Sequence, residues 1–103
     1  MAEEDNLDWL MKWYSSHCDG DWEHGYGIRI ETLDNPGWHL KVELTGTELE
    51  ATIFEDINHN LDDEASWWSC SRRGTEFHAA CGPLELSAVI GVFRKWATAI
   101  HTR

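Results

Sequence analysis

The residues whose types and spacing could do chemistry are Cys18, Asp19, Asp21, Glu23 and His24, and, far along the chain, Cys81. The stretch Cys18-Asp19-Gly20-Asp21-Trp22-Glu23-His24 offers a thiol, carboxylates and an imidazole, the donor types of zinc and calcium sites. Its spacing matches no established metal motif, and a closed zinc site usually wants paired Cys or His. A second stretch, Asp56-x-Asn58-x-Asn60, begins like a calcium-binding loop. It then carries Leu61 where the turn glycine belongs and Trp67 where the bidentate glutamate belongs. Solvated acidic turns explain both stretches better than a metal does.

Cys81 is the best candidate nucleophile. It sits just before an expected helix start at Pro83, where backbone amides favour a thiolate. A small sulfurtransferase-like enzyme would place its cysteine similarly. Such an enzyme also needs a loop of anion donors, whereas Pro83 has no amide hydrogen and Glu85 repels an anion. A small buried residue at a strand end is the better reading. The six histidines are scattered, and no Ser-His-Asp order or glycine-rich phosphate loop accompanies them.

The elements that would position these residues follow from periodicity. Residues 5–17 predict a helix, capped by Asp5 or Asn6, with Asp8 in its first turn. Leu7, Leu10, Met11 and Tyr14 share one face, and Trp9 and Trp13 lie beside it. The combined apolar arc is roughly 200°, wider than a surface helix needs. Either the tryptophans wrap the edge of a small core, or one stays exposed as an interface anchor. Asp19-Gly20-Asp21 ends the helix. Tyr26, Ile28 and Ile30, then Trp38, Leu40, Val42 and Leu44, alternate with polar residues around the turn Asp34-Asn35-Pro36-Gly37, predicting an antiparallel hairpin.

Residues 48–57 fit either a short helix, with Thr47 and Glu50 at capping-box spacing, or an irregular edge strand. Asp56 to Glu64 reads as an acidic loop. Residues 67–81 predict a second hairpin turning at Arg73-Gly74, so that Arg72 faces Thr75, Cys70 faces Phe77 and Trp68 faces Ala79. That register puts Trp68, Cys70, Phe77, Ala79 and Cys81 on one face, with Cys70 and Cys81 too far out of step for a disulfide. A closing helix is expected from Pro83 to about Ile100, with Val89, Val92, Phe93, Trp96 and Ile100 as its buried stripe. Arg94, Lys95 and Arg103 lie toward its C-terminus. The expected fold is α+β: an antiparallel sheet of about four strands, in two hairpins, with the N- and C-terminal helices packed on one face.

Length and composition bound the function. The 103 residues make one domain, and 42% hydrophobic content with seven tryptophans predicts a packed core. A net charge of -11 argues against nucleic acid or an anionic membrane as partner, because both need clustered Lys and Arg. It favours a basic partner, or simply high solubility. No stretch approaches the ~20 apolar residues of a membrane span. The acidic start, Met1-Ala2-Glu3-Glu4-Asp5, lacks the regions of a signal peptide, so a cytoplasmic location is expected. Three widely spaced cysteines fit reduced thiols.

Trp9-Leu10-x-x-Trp13-Tyr14, Cys18-Asp19-Gly20-Asp21-Trp22-Glu23-His24, Tyr26-Gly27-Ile28 and Thr32-Leu33-Asp34-Asn35-Pro36-Gly37-Trp38 form one long pattern of Trp, Gly and acidic residues. It continues in Leu44-x-Gly46-Thr47-x-Leu49 and Cys81-Gly82-Pro83. Over most of its length the chain resembles the immunity protein 53 family, small bacterial proteins associated with polymorphic toxin systems. The resemblance implies binding and neutralising a cognate toxin and brings no catalytic residues; no cofactor or metal is expected, with a metal-binding module around Cys18 to His24 as an alternative. An acidic domain with aromatic anchors suits a basic toxin, for instance a nuclease. The candidate contacts are Asp19, Asp21, Trp22, Glu23 and Asp34, and in second place Asp62, Asp63 and Glu64.

Overall fold

A computed structural model describes residues 5–101. The acidic start Met1 to Glu4, the Ile100 side chain and Arg103 lie outside the described residues.

The first helix, α1 (Asn6–His17), starts where Asp5 Oδ1 accepts the amide of Asp8 at 2.8 Å. Its buried residues are Leu10 and Trp13, with Trp9 half-buried. The face expected to be buried is therefore wrong in part: Leu7, Met11 and Tyr14 are exposed. The helix is turned by about one residue, roughly 100°. The cause is ring area, since an indole has more apolar surface to bury than Leu or Met. Trp9 and Trp13 both meet Phe93 edge-on, with ring centroids 5.9 and 5.1 Å apart.

A short helix, α2 (Trp22–Gly25), leads into strand β1 (Ile28–Leu33), which pairs antiparallel with β2 (Gly37–Glu43). Gly37 is required there, because a Cβ would stand 2.2 Å from the Cys81 carbonyl oxygen. Turns then carry residues 45–51. Thr47 Oγ1 donates to the Leu44 carbonyl and accepts the Leu49 amide, while Glu50 reaches back to the Gly46 amide, so this spacing builds a turn and no helix. A third strand, β3 (Ile57–His59), follows inside the stretch expected to be loop.

Strands β4 (Trp68–Arg73) and β5 (Glu76–Cys81) complete a five-stranded sheet in the order β1-β2-β5-β4-β3, one strand more than the two hairpins predicted. All pairings are antiparallel. The β4–β5 register differs from expectation by two residues: Arg73 faces Glu76, Cys70 faces Ala79 and Trp68 faces Cys81. The turn is Gly74-Thr75, and Gly74 has φ +60°, as the first position of a hairpin turn with a single left-handed residue demands. A shift of two preserves the faces, so the expected inward set still points inward.

The closing helix, α3 (Leu86–His101), begins three residues later than expected. The Gly82 amide is committed to the Trp67 carbonyl at 2.9 Å, and a Cβ on Gly82 would lie 1.9 Å from the Ala65 carbonyl oxygen. The chain must leave that contact before it can coil. Val89, Ile90, Phe93 and Ala97 form the buried stripe, flanked by half-buried Val92 and Trp96. This helix packs over β2, β5 and β4, and α1 lies beside it, so both helices cover one face of the sheet. Leu40, Val42, Phe77, Ala79, Cys70 and Cys81 face them from the sheet.

Candidate functional site

The acidic corner between α1 and β1 is built by its own carboxylates. Asp19 Oδ1 accepts the amides of Asp21 (2.9 Å) and Trp22 (3.0 Å). The Glu23 carboxylate accepts those of Asp19 (3.0 Å) and Gly20 (2.9 Å), and Gly20 takes φ +96° between them. The amides of Trp22 and Asp21 hold the Asp19 carboxyl below its ordinary range. Glu23 is held low by its own amide and by those of Asp19 and Gly20. Trp22 is only 7% exposed. Its Nε1 donates to the Thr45 carbonyl at 2.8 Å, and its ring packs against Trp13, Tyr14 and Tyr26. Asp21 is exposed, and its carboxylate meets no protein partner among the described residues.

The other candidates lie at the opposite end of the sheet. Asp63 Oδ1 accepts the amides of Ala65 (2.7 Å) and Ser66 (2.8 Å), and these two amides, Ser66 foremost, lower its pKa. Asp62 and Glu64 beside it are exposed, as is Asp34 in the β1–β2 turn, and none of the three is ion-paired among the described residues. A cleft of about 810 Å³ brings this end together, lined by Asn35, Pro36, Leu61, Asp63, Glu64 and Trp67. The eight candidate residues thus form two groups. The six residues of β1 separate them, a span of roughly 20 Å.

Neither reactive chemistry first considered is assembled. Cys18 is half-buried with its Sγ donating to the Tyr14 carbonyl (3.3 Å), and the Asp19 and Glu23 carboxylates are spent on turn amides. Among the described residues no group of three or more His, Cys, Asp and Glu side chains is placed to hold a metal ion. Cys70 and Cys81 are fully buried free thiols. Burial pushes Cys70 up to about 12, and it raises Cys81 too, with Glu85 adding to the shift. That is the reverse of an activated thiolate. Alkylation of the native protein by iodoacetamide should therefore modify Cys18 first, with Cys70 and Cys81 reacting only at the rate of unfolding. A Cys81 that reacted faster than Cys18 at neutral pH would revive a thiol enzyme.

Two features gave little warning in the sequence. One is a triad under α1. The Glu48 carboxylate accepts Trp13 Nε1 (2.9 Å) and meets His17 Nε2 (2.7 Å), while His17 Nδ1 donates to the Trp13 carbonyl (2.8 Å). Burial disfavours the Glu48 anion, but the Trp13 indole, its own amide and His17 outweigh that and hold its carboxyl low. The other is an apolar groove of about 350 Å³ between α1 and β1, where Leu7, Met11 and Tyr14 face Tyr26, Ile28 and Ile30. Its one sequence signal is the excess width of the α1 apolar arc: a helix with two apolar faces can bury only one against its own core.

No described helix is long and apolar enough to cross a membrane. The family model described as Immunity protein 53 matches residues 7–98. No curated protein and no solved structure matches the chain.

Proposed function

The chain belongs to the immunity protein 53 family, and we propose that it is a non-enzymatic, cytoplasmic immunity protein that binds a basic cognate toxin of a polymorphic toxin system and neutralises it by occlusion, through an acidic and aromatic surface. The observation that carries the acidic part is the division of labour among the candidate carboxylates. Asp19, Glu23 and Asp63 are consumed in capping turns. Asp21, Asp34, Asp62 and Glu64 are exposed and unpaired among the described residues, and all but Asp34 stand on or beside turns closed by those caps, in a chain of net charge -11. Charges fixed in place but unsatisfied within the chain steer a cationic partner and lose less freedom when they pair with it. Trp22, buried as it is, serves this surface by positioning the Asp19–Glu23 turn.

Reversing Asp21 and Asp62 together, Asp21→Lys with Asp62→Lys, tests the reading without removing a cap. Association with a basic candidate toxin domain that the parent chain inhibits should slow by about tenfold or more at low salt, and the salt dependence should flatten. An unchanged association rate and salt slope in the double variant would place the contact on a different surface.

A further inference from the structure

Building on that immunity reading, we propose that the groove between α1 and β1 is the seat of a toxin segment that inserts apolar side chains between flanking Lys or Arg residues. Five large side chains surround this groove while remaining open to solvent: Leu7 (51% exposed), Met11 (54%), Tyr14 (37%), Tyr26 (43%) and Ile30 (38%). Scattered apolar residues on a surface are ordinary, but a contiguous group lining one cavity marks an interaction site. The fold explains why they are left open. Trp9 and Trp13 turn α1 toward α3, and α3 packs chiefly over β2, β5 and β4. Beyond half-buried Ile28 the inward face of β1 is therefore left open at Ile30, and as a terminal strand of the sheet β1 also presents an unpaired backbone edge.

Charge selects the occupant. The groove runs along β1, with Asp19, Asp21 and Glu23 beyond its Tyr14 and Tyr26 end and Asp34 beyond the far end of the strand. Asp5 and Asp8 share the first turn of α1 with Leu7. Between Asp5 and Asp34 the sequence holds seven carboxylates and two cations, Lys12 and Arg29. A second copy of the chain would set these carboxylates against their equals, and an anionic lipid surface would be repelled in the same way. A partner with cationic residues around an apolar insertion meets no such penalty. The arrangement has the anatomy of an energetic centre: aromatic and Met side chains in a pocket, with charges at the rim.

The test uses a basic candidate toxin domain of a polymorphic toxin system that the full chain inhibits, carrying a substitution that abolishes its activity, titrated calorimetrically into the full chain. Met11→Glu and Ile30→Glu replace exposed groove residues and should keep the melting temperature near that of the parent. Ile53→Glu, at an 84% exposed residue on the β3–β4 side, is the control. Expected is a loss of affinity of at least 100-fold for each groove variant and less than threefold for the control, with amide exchange slowed along α1 and β1 in the parent complex. Parent-like affinity in both groove variants, or exchange protection confined to other elements, would overturn the groove while leaving the immunity reading intact. No binding by the parent would overturn both. A stable homodimer of the free chain that Met11→Glu dissociates would assign the groove to a second copy instead.

Discussion

Replacing Trp22 by alanine should lower the unfolding free energy by about 3–5 kcal/mol, the usual cost of removing a large buried aromatic ring. Trp22 is 7% exposed and sits where α1, α2 and the turn after β2 converge. Its ring touches Trp13, Tyr14 and Tyr26, and Gly46 packs so closely that a Cβ there would stand 3.1 Å from the indole. Truncation leaves a cavity and orphans the Thr45 carbonyl. Trp22→Phe keeps most of the apolar contact and loses the indole donor, and should cost about 1–3 kcal/mol. The paired variants also separate two roles. If Trp22 positions the acidic turn, Trp22→Phe should bind toxin within a few-fold of the parent. A large loss of affinity in a folded Trp22→Phe protein would instead make the indole a direct contact. Denaturant titration and toxin binding on the same samples read both effects.

Phe93→Ala should be comparably damaging, at about 3–5 kcal/mol. Phe93 is fully buried at the centre of the helix–sheet layer. Its ring meets Trp13 at 5.1 Å, Phe77 at 5.0 Å, Trp9 at 5.9 Å and Trp96 at 6.1 Å. One side chain thus links α1, α3 and β5. Against the 5–15 kcal/mol typical of a whole domain, either loss is a large fraction of stability. Phe93→Leu, which refills much of the volume, should recover a good part of it. A Phe93→Ala protein that melts within a degree or two of the parent would mean that α1 is not docked on α3 through this ring.

The strands could be read from the sequence because sheet periodicity is strict. Trp38, Leu40 and Val42, and Cys70, Phe77, Ala79 and Cys81, alternate with polar neighbours, and each sits on the expected face. The β4–β5 register differs by two residues because Arg73-Gly74 and Gly74-Thr75 are both plausible turns; a positive φ at Gly74 suits either, and the ordinary φ of Arg73 with its pairing to Glu76 decides between them. The burial of α1 departs from its periodicity for a different reason. Two apolar stripes share this helix, and periodicity cannot say which one the core takes when one is Leu, Met and Tyr and the other contains two indoles. Strand β3 is three exposed residues held by pairing with β4, a tertiary cause with no local pattern.

The candidate site was readable in its residue types but not in their duties. Asp19, Glu23 and Asp63 look like Asp21, Asp62 and Glu64 in a sequence, and only turn geometry shows which carboxylates face backbone amides. The separation of the acidic residues into two groups needed the length and placement of β1. Glu48 and His17 lie 31 positions apart, and the groove needed the rotation of α1, so neither had a signature of its own.

The decisive measurement is a titration of the full chain into an active, basic candidate toxin domain of a polymorphic toxin system, following complex formation and toxin activity together at two salt concentrations. Occlusion by this domain predicts that activity falls to zero as the chain reaches equimolarity, with binding weakened as salt rises. A toxin that stays fully active with the chain in excess, at low salt, would contradict it.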